Sequence, residues 1–219
     1  MTPRLTLLAC VTTIACTQVT QLTAQAAAVP PPVTGAQQTP KKSRVALPPA
    51  PFEQPVAGTV YRYEGFTDRI VGGNGIVTRY VDDANRAGTR FGVFFNDNPN
   101  EPLSYNAETV GALFPLRAGK KTTFTVTRGD LKWTFTARVV DTERITTPAG
   151  TFDTWVVETI ETPKRTRDPA TVKTRISTFW YAPSIRNVAR LMAITTTATG
   201  EKTLRKVQLL GVDPPLAQR

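Results

Sequence analysis

The chain has 219 residues, a formal net charge of +10 at pH 7, two cysteines and no histidine. The missing histidine removes the commonest general base and the commonest metal ligand, and both cysteines, Cys10 and Cys16, lie near the start of the chain. The composition therefore excludes a Ser-His-Asp triad, a Cys/His metal centre and a disulfide in the folded part, and it predicts neither a metal nor a cofactor.

The segment 1–26 is predicted to be an export signal peptide. Leu5–Cys16 forms its apolar core, and Ala24-Gln25-Ala26 offers small residues at the positions that a signal peptidase requires. Cleavage after Ala26 would release the protein into the periplasm or the medium. The alternative is a lipoprotein signal, in which acylation of Cys16 would anchor the protein to a membrane.

Residues 27–55 are predicted to be a disordered linker, because eight of them are proline. Proline at this density cannot continue a helix or a central strand, so an extended, solvated spacer is expected. A single β domain is expected to follow over residues 56–219.

From residue 56 onward, short segments rich in β-branched and aromatic residues alternate with Gly, Pro, Asn and Asp, a pattern typical of strands and turns. The clearest segment is Leu131–Val140, where apolar and polar residues alternate and predict a sheet buried on one face. The predicted strands are Thr59–Phe66, Ile76–Val81, Arg90–Phe95, Thr122–Thr127, Leu131–Val140, Phe152–Glu161, Thr174–Ala182, Val188–Thr197 and Thr203–Leu210.

A short helix is predicted at Ala107–Leu113, where Asn106 can act as the N-cap and Pro115 follows the end. The glycine-rich segment Val71–Gly75 is interpreted as a hairpin loop, since no helix follows it to form a phosphate-binding cradle. The predicted fold class is all-β (minor α): a bent antiparallel meander sheet, arranged as a half-barrel or open barrel with this one short helix.

Three acids on one predicted strand are the candidates for carboxylate chemistry: Asp153, Glu158 and Glu161. A pair of carboxylates can hydrolyse a glycosidic bond without histidine. Acids on a half-buried strand are more often exposed surface charge, so a carboxylate-based glycan hydrolase is the least favoured hypothesis. The sequence predicts no catalytic residue and a protein that is not an enzyme.

The excess of basic over acidic residues favours anionic partners such as lipid head groups, lipopolysaccharide or acidic glycans. A solvated basic surface without a specific partner explains the same charge. The segment Glu161–Lys173 is strongly basic and carries no aromatic residue between its cations. Base stacking is therefore not indicated, and no nucleic acid partner is expected.

Two aromatic segments beside turns are interpreted as a structural motif. Pro148 fixes φ and Gly150 takes a positive φ, so that they form a turn from which Phe152 enters a strand. Tyr181 and Pro183 end the segment Phe179–Pro183 on a neighbouring strand. Together the two segments would hold adjacent strands of a bent sheet.

The three tryptophans, Trp133, Trp155 and Trp180, have two interpretations. They pack in the core, which is the preferred interpretation, or they line an apolar cavity on the concave face that binds a lipid-like ligand.

Three motifs in a fixed order carry a family resemblance: LFPLRAGK at 113–120, TPAGTFD at 147–153 and FWYAP at 179–183. Over Leu113–Leu210 the chain resembles an uncharacterised family of exported bacterial β-proteins, itself similar in fold to the Lol-type lipoprotein carriers and their half-barrel. The resemblance implies an envelope location and no known enzyme activity, and it transfers no catalytic residue. Relatives tend to have glycine in the turn after Pro183, and Asn187 is expected to supply the positive φ here.

Two functions remain open. The first is a non-catalytic exported envelope protein that binds an apolar or amphipathic ligand in the concave sheet. The alternative is a structural or interaction protein that meets an anionic envelope surface through a basic face, with membrane anchoring only if Cys16 is acylated. The sequence leaves the oligomeric state undetermined.

Overall fold

The computed structural model describes residues 43–95, 104–128, 131–165 and 174–215. The predicted signal peptide, the first part of the linker and most of the basic loop lie outside these residues. The strands are β1 Val60–Tyr63, β2 Phe66–Asn74, β3 Val77–Val81, β4 Ala87–Phe91, β5 Ser104–Tyr105, β6 Lys121–Arg128, β7 Leu131–Thr147, β8 Gly150–Arg165, β9 Thr174–Ala182, β10 Asn187–Thr196 and β11 Lys202–Asp213. Helix α1 spans Ala107–Gly111, and a 3₁₀ turn spans Pro183–Ile185.

All eleven strands belong to one antiparallel sheet with the order β4-β3-β2-β1-β11-β10-β9-β8-β7-β6-β5. Neighbours in the sheet are neighbours in sequence, except that β11 returns to pair with β1. The fold is therefore the predicted meander, and its two terminal strands, β4 and β5, are not paired with each other.

The sheet is bent until its two ends approach. Eleven flat strands would place the terminal strands roughly 48 Å apart, at ~4.8 Å per neighbour. Instead Phe91 of β4 stacks on Tyr105 of β5, with the ring centroids 4.3 Å apart. The predicted open barrel is confirmed, and the face inside this bend is called the concave face.

The main core fills the concave face. It contains a group of phenylalanines packed ring to ring: Phe91, Phe94, Phe124, Phe135 and Phe179. A smaller cluster lies on the opposite, convex face around Val156, Trp180 and Ala189. Because aromatic side chains occupy most of the space inside the bend, the concave face is a packed interior with limited free volume.

The sequence prediction was wrong at the start of the sheet. The single strand expected at Thr59–Phe66 is a hairpin, β1 and β2, that turns at Gly65 with φ 89°. The expected loop Val71–Gly75 belongs mostly to β2, where a register shift between Ile70 and Gly72 accommodates the glycines. The turn residues, Glu64-Gly65, are a weaker hairpin signal than the Asn-Gly or Asp-Gly pairs that favour two-residue turns.

Two local predictions have different outcomes. Asn106 caps α1 as expected, since its side chain accepts a hydrogen bond from the Thr109 amide at 3.0 Å. The positive φ in the turn after β9 belongs to Arg186, at 54°, and not to Asn187. The Asn187 side chain is instead buried and accepts from the Val188 amide at 2.8 Å.

The end of the predicted linker differs from the expectation. Residues 43–55 form an extended strap against the sheet, in which Ala50 and Leu116 exchange backbone hydrogen bonds of 3.0 and 2.7 Å. The Gln54 side chain donates to the Val77 carbonyl at 2.8 Å. Proline prevents regular pairing over this segment but leaves its carbonyls free to accept, so the β domain begins before residue 56.

A buried ion pair crosses the concave interior. Arg90 on β4 and Asp68 on β2 are only 4% and 1% exposed, and their side chains form an ion pair. The Arg90 guanidinium also lies 3.9 Å from the centroid of the Phe95 ring, and it donates to the Asn187 side chain at 3.3 Å. Burial lowers the pKa of Arg90, and the neighbouring Tyr63 and Tyr61 side chains partly oppose this effect.

Arg90→Met should lower the free energy of unfolding by about 3–5 kcal/mol, because it leaves the Asp68 carboxylate buried without a partner. Combining it with Asp68→Leu should recover most of that loss, since no buried charge remains. Arg138→Met, which removes an exposed ion pair with Glu158, is the control and should cost less than about 1 kcal/mol. Urea unfolding measures all three, and a double variant no more stable than Arg90→Met would contradict the account.

Candidate functional site

A small cleft lies on the concave face of strands β8 to β11, and its volume is about 60 Å³. It contains both charged and apolar side chains, which distinguishes it from the packed interior beside it. Its lining residues are Phe95, Glu161, Arg175, Ser177, Phe179, Leu191, Ala193, Thr195 and Arg205.

The cleft exists because one row of the sheet has small side chains. Register pairs Thr159 with Ser177, Ser177 with Ala193, and Ala193 with Arg205, so these residues form a row across four strands. The next row toward the middle of the sheet is bulky, with Val157, Phe179, Leu191 and Val207. Small side chains beside large ones leave a depression, and paired residues share one face of the sheet.

Charged groups line the outer side of the depression. Glu161 on β8 pairs in register with Arg175 on β9, and their charged atoms are 3.6 Å apart. The Ser177 hydroxyl donates to the Glu161 carboxylate at 3.2 Å. Arg205 adds a second guanidinium to the lining, so the described lining residues include two cations and one anion. This charge balance suits an anionic group.

Phe95 separates the cleft from the buried ion pair. One face of its ring covers the Arg90 guanidinium at 3.9 Å, and its ring also stacks parallel to Phe179 with centroids 6.3 Å apart. Behind it, Tyr63 donates to the Val188 carbonyl at 2.9 Å, and burial raises the pKa of this tyrosine to about 12. The inner wall of the cleft is therefore a rigid aromatic layer held by a cation.

One polar atom beside the cleft has no hydrogen-bond partner. Thr159 is fully buried, and its hydroxyl makes no hydrogen bond in the described structure. It lies in the small-residue row next to Ser177. A buried hydroxyl without a partner costs free energy, and a water or ligand atom in this row would satisfy it.

The structure separates the three tryptophans. Trp155 pairs in register with Tyr181 and is 4% exposed within the main core on the concave face. Trp180 is packed in the convex cluster, where its indole N–H donates to Glu143 at 2.9 Å. Trp133 is partly buried and pairs in register with the core residue Val126. The tryptophans do not line one cavity, and none of them lines the cleft.

The predicted turn motif lies at the other end of strands β7 to β10. Gly150 has φ 133° in the β7–β8 turn, and Phe152 packs against both core clusters. Tyr181 is 2% exposed, and Pro183 begins the 3₁₀ turn. These residues therefore contact structural neighbours and lie away from the cleft, as expected for a motif that holds strands together.

The three candidate carboxylates do not converge. Asp153 and Glu158 are partly exposed and form ion pairs with Arg144 and Arg138, respectively. Glu161, expected to be exposed, is only 6% exposed because it lies on the same face as Trp155 and Val157. Asp153 and Glu161 are roughly 26 Å apart along one strand, at about 3.3 Å per residue, far beyond the spacing of a glycosidase pair. Glu158 faces the opposite side of the sheet.

Two further cavities are lined by fewer charged side chains than the cleft. One of about 610 Å³ lies over the β2–β3 hairpin and Ala107, where Arg79 is the charged lining residue. Another of about 210 Å³ lies between the strap and Tyr181, with Glu53 as its charged lining residue. Within the described ranges, no group of three or more His, Cys, Asp or Glu residues could hold a metal ion, and no described helix is long and apolar enough to cross a membrane.

Trp155→Ala should lower the free energy of unfolding by about 3–5 kcal/mol, because it removes a buried ring from the main core. Trp155→Phe keeps most of the apolar volume and loses an indole N–H that has no partner in the described structure, so it should cost clearly less. Chemical denaturation of both variants tests this. A loss below about 1 kcal/mol for Trp155→Ala would show that the ring is not a core element.

Comparison with known protein families finds one match. The model of a family described as a protein of unknown function (DUF3108) matches residues 60–206. The matched region begins well before Leu113, where the sequence motifs begin. No curated protein matches the chain.

Several solved structures are similar at low sequence identity. A candidate exported protein with a YmcC-like fold from Bacteroides fragilis is 16% identical, with a TM-score of 0.48, over 75% of this chain and 100% of that one. The hypothetical lipoprotein YmcC from Escherichia coli is 14% identical, with a TM-score of 0.45, over 72% and 85%. A candidate lipoprotein from Parabacteroides distasonis is 13% identical, with a TM-score of 0.42, over 76% and 100%. The expected likeness to Lol-type carriers stays a prediction.

Proposed function

The chain belongs to the DUF3108 family, whose function is unknown, and we propose that its β domain is a non-catalytic module that binds the anionic head group of an amphipathic envelope molecule. The observation that carries the proposal is the concave cleft, where Arg175 and Arg205 lie beside Phe95 and Phe179. Guanidinium groups bind carboxylates and phosphates through charge-assisted hydrogen bonds. The rings beside them provide apolar surface for the first part of an attached chain.

The volume of the cleft suits a small head group and is too small for a lipid tail. About 60 Å³ is the space of roughly two water molecules, well below the ~300 Å³ of an ordinary ligand pocket. Side chains of the main core, among them several phenylalanines, occupy most of the space beside the cleft. An acyl chain would therefore extend out of the cleft, and only its charged end would contact the arginines.

The proposed location is the cell envelope. The support is the segment 1–26, whose apolar core and small residues before the cleavage position are typical of an export signal. Cleavage after Ala26 would give a periplasmic or secreted protein, and acylation of Cys16 would give an anchored one.

A binding role is favoured over catalysis by the placement of the acids. Among the described residues that line the cleft, the one carboxylate is Glu161, which accepts a hydrogen bond from Ser177 and is paired with Arg175. Asp153 and Glu158 lie outside it. A single carboxylate neutralised by a neighbouring cation is a poor general base, and it holds the arginine in place for a ligand.

The test is a titration with decyl phosphate and with decanoate below their micelle-forming concentrations, followed by calorimetry. Arg205→Gln should weaken binding about tenfold or more, because one charge-assisted hydrogen bond contributes ~1.5–3 kcal/mol. Arg138→Gln removes a cation from the exposed pair with Glu158 and should leave binding unchanged.

Decyltrimethylammonium serves as the ligand of opposite charge and should not bind. Equal affinity for this cation, or equal weakening by Arg205→Gln and Arg138→Gln, would contradict an anion site in the cleft. A preference for decyl phosphate over decanoate, or the reverse, would identify which anionic head group is bound.

A further inference from the structure

Four exposed aliphatic side chains form a row across the convex face. Ile160 on β8 pairs in register with Ile176 on β9, Ile176 pairs with Ile194 on β10, and Ile194 pairs with Leu204 on β11. Their exposed fractions are 49%, 48%, 37% and 53%. Paired residues of neighbouring strands share a face about 5 Å apart, so the row is continuous and roughly 15 Å long.

The rows on either side of these aliphatic residues are mainly polar. One neighbouring row contains Arg138, Glu158, Thr178, Met192 and Lys206. The other contains Thr196 paired with Lys202. A sheet with one buried face normally carries polar residues on its other face. Packing of the core therefore does not explain why four large aliphatic side chains are paired at exposed positions.

Cations flank the row at β11. Lys202 and Lys206 lie two residues before and after Leu204, on the same face of the strand. The acid in the neighbouring row, Glu158, forms an ion pair with Arg138. Such a surface is complementary to an anionic membrane: the aliphatic side chains can contact the acyl chains, and the lysines can contact the charged phosphates above them.

We propose that this aliphatic row docks the domain onto an anionic lipid bilayer, with its side chains inserted at the level of the acyl-chain boundary and the flanking lysines at the lipid phosphates. A second copy of the chain fits the row less well. Four half-exposed side chains offer roughly a few hundred Å², whereas a stable protein interface needs about 800 Å² from each partner. The net charge of +10 also opposes self-association and favours an anionic surface.

The row lies directly behind the cleft. Ile160 precedes Glu161, Ile176 lies between Arg175 and Ser177, and Leu204 precedes Arg205. Docking through the row would hold the cleft one sheet thickness from the bilayer that contains amphipathic molecules. The docking itself does not depend on a ligand in the cleft, so the two proposals can fail separately.

The experiment is co-sedimentation of the exported protein, produced from a gene that carries Cys16→Ser to exclude acylation, with phosphatidylglycerol–phosphatidylcholine vesicles and with phosphatidylcholine vesicles. The protein without substitutions in the row should bind the anionic vesicles and show little binding to the neutral ones. Ile176→Ser/Ile194→Ser should reduce the partition coefficient about tenfold or more, because two inserted aliphatic side chains are lost.

The matched control is Val56→Ser/Val71→Ser, which changes two aliphatic residues of similar exposure, 49% and 50%, outside the row. This control should bind vesicles normally, and so should Arg205→Gln, whose effect belongs to the cleft. Circular dichroism melts confirm that each variant is folded. Unchanged vesicle binding by the row variant, or an equal loss in the control, would overturn the proposal.

Analytical ultracentrifugation of the same proteins tests the remaining alternative, which is that a second copy of the chain covers the row. If the protein is a dimer that Ile176→Ser/Ile194→Ser converts to a monomer while vesicle binding persists, the row is a protein interface and the membrane proposal is wrong. A protein whose association state is the same with and without the substitutions, and whose vesicle binding is lost, agrees with docking to lipid.

Discussion

The ion pair between Arg90 and Asp68 is the interaction on which the interior of this domain depends. It connects β4, a terminal strand of the sheet, to β2, and through Asn187 it reaches β10 on the far side of the interior. The charge is tolerated there because aromatic rings and hydrogen bonds surround it, including the ring of Phe95 at 3.9 Å. By holding Phe95, the pair also fixes the inner wall of the cleft.

This arrangement explains why aromatic side chains occupy much of the space inside the bent sheet. Once β4 approaches β5, the rings of Phe91, Phe94 and Phe124 fill the space between the two ends of the sheet. A small depression remains where the row containing Ser177 and Ala193 has small side chains. The proposed head-group site therefore lies at one end of the concave face, while the packed interior stabilises the domain.

Much of the architecture followed from local sequence patterns. Strand β9 at Thr174–Ala182 has the predicted bounds, because its apolar run is bounded by polar turn residues. The cap at Asn106 was also predicted correctly. The division of Thr59–Phe66 into two strands was missed, since Glu64-Gly65 is not one of the residue pairs that strongly favour a two-residue hairpin turn.

The cleft could not have been predicted from the sequence in the same way. It depends on register across four strands, and register shifts such as the one between Val188 and Arg190 change which residues are neighbours. One feature of the sequence did indicate it. Side chains alternate between the two faces of a strand, so Glu161 lies on the same buried face as Trp155 and Val157. A buried acid at the end of an apolar alternation indicates a charged partner on the next strand, here Arg175.

The most direct test of head-group binding in the concave cleft is the map of backbone amide chemical shifts during titration with decyl phosphate. The account predicts that the largest changes fall on Ser177, Ala193 and Thr195, with smaller changes elsewhere in the domain. Changes centred on the strap near Ala50, or spread over the convex face, with the cleft residues unaffected, would contradict it.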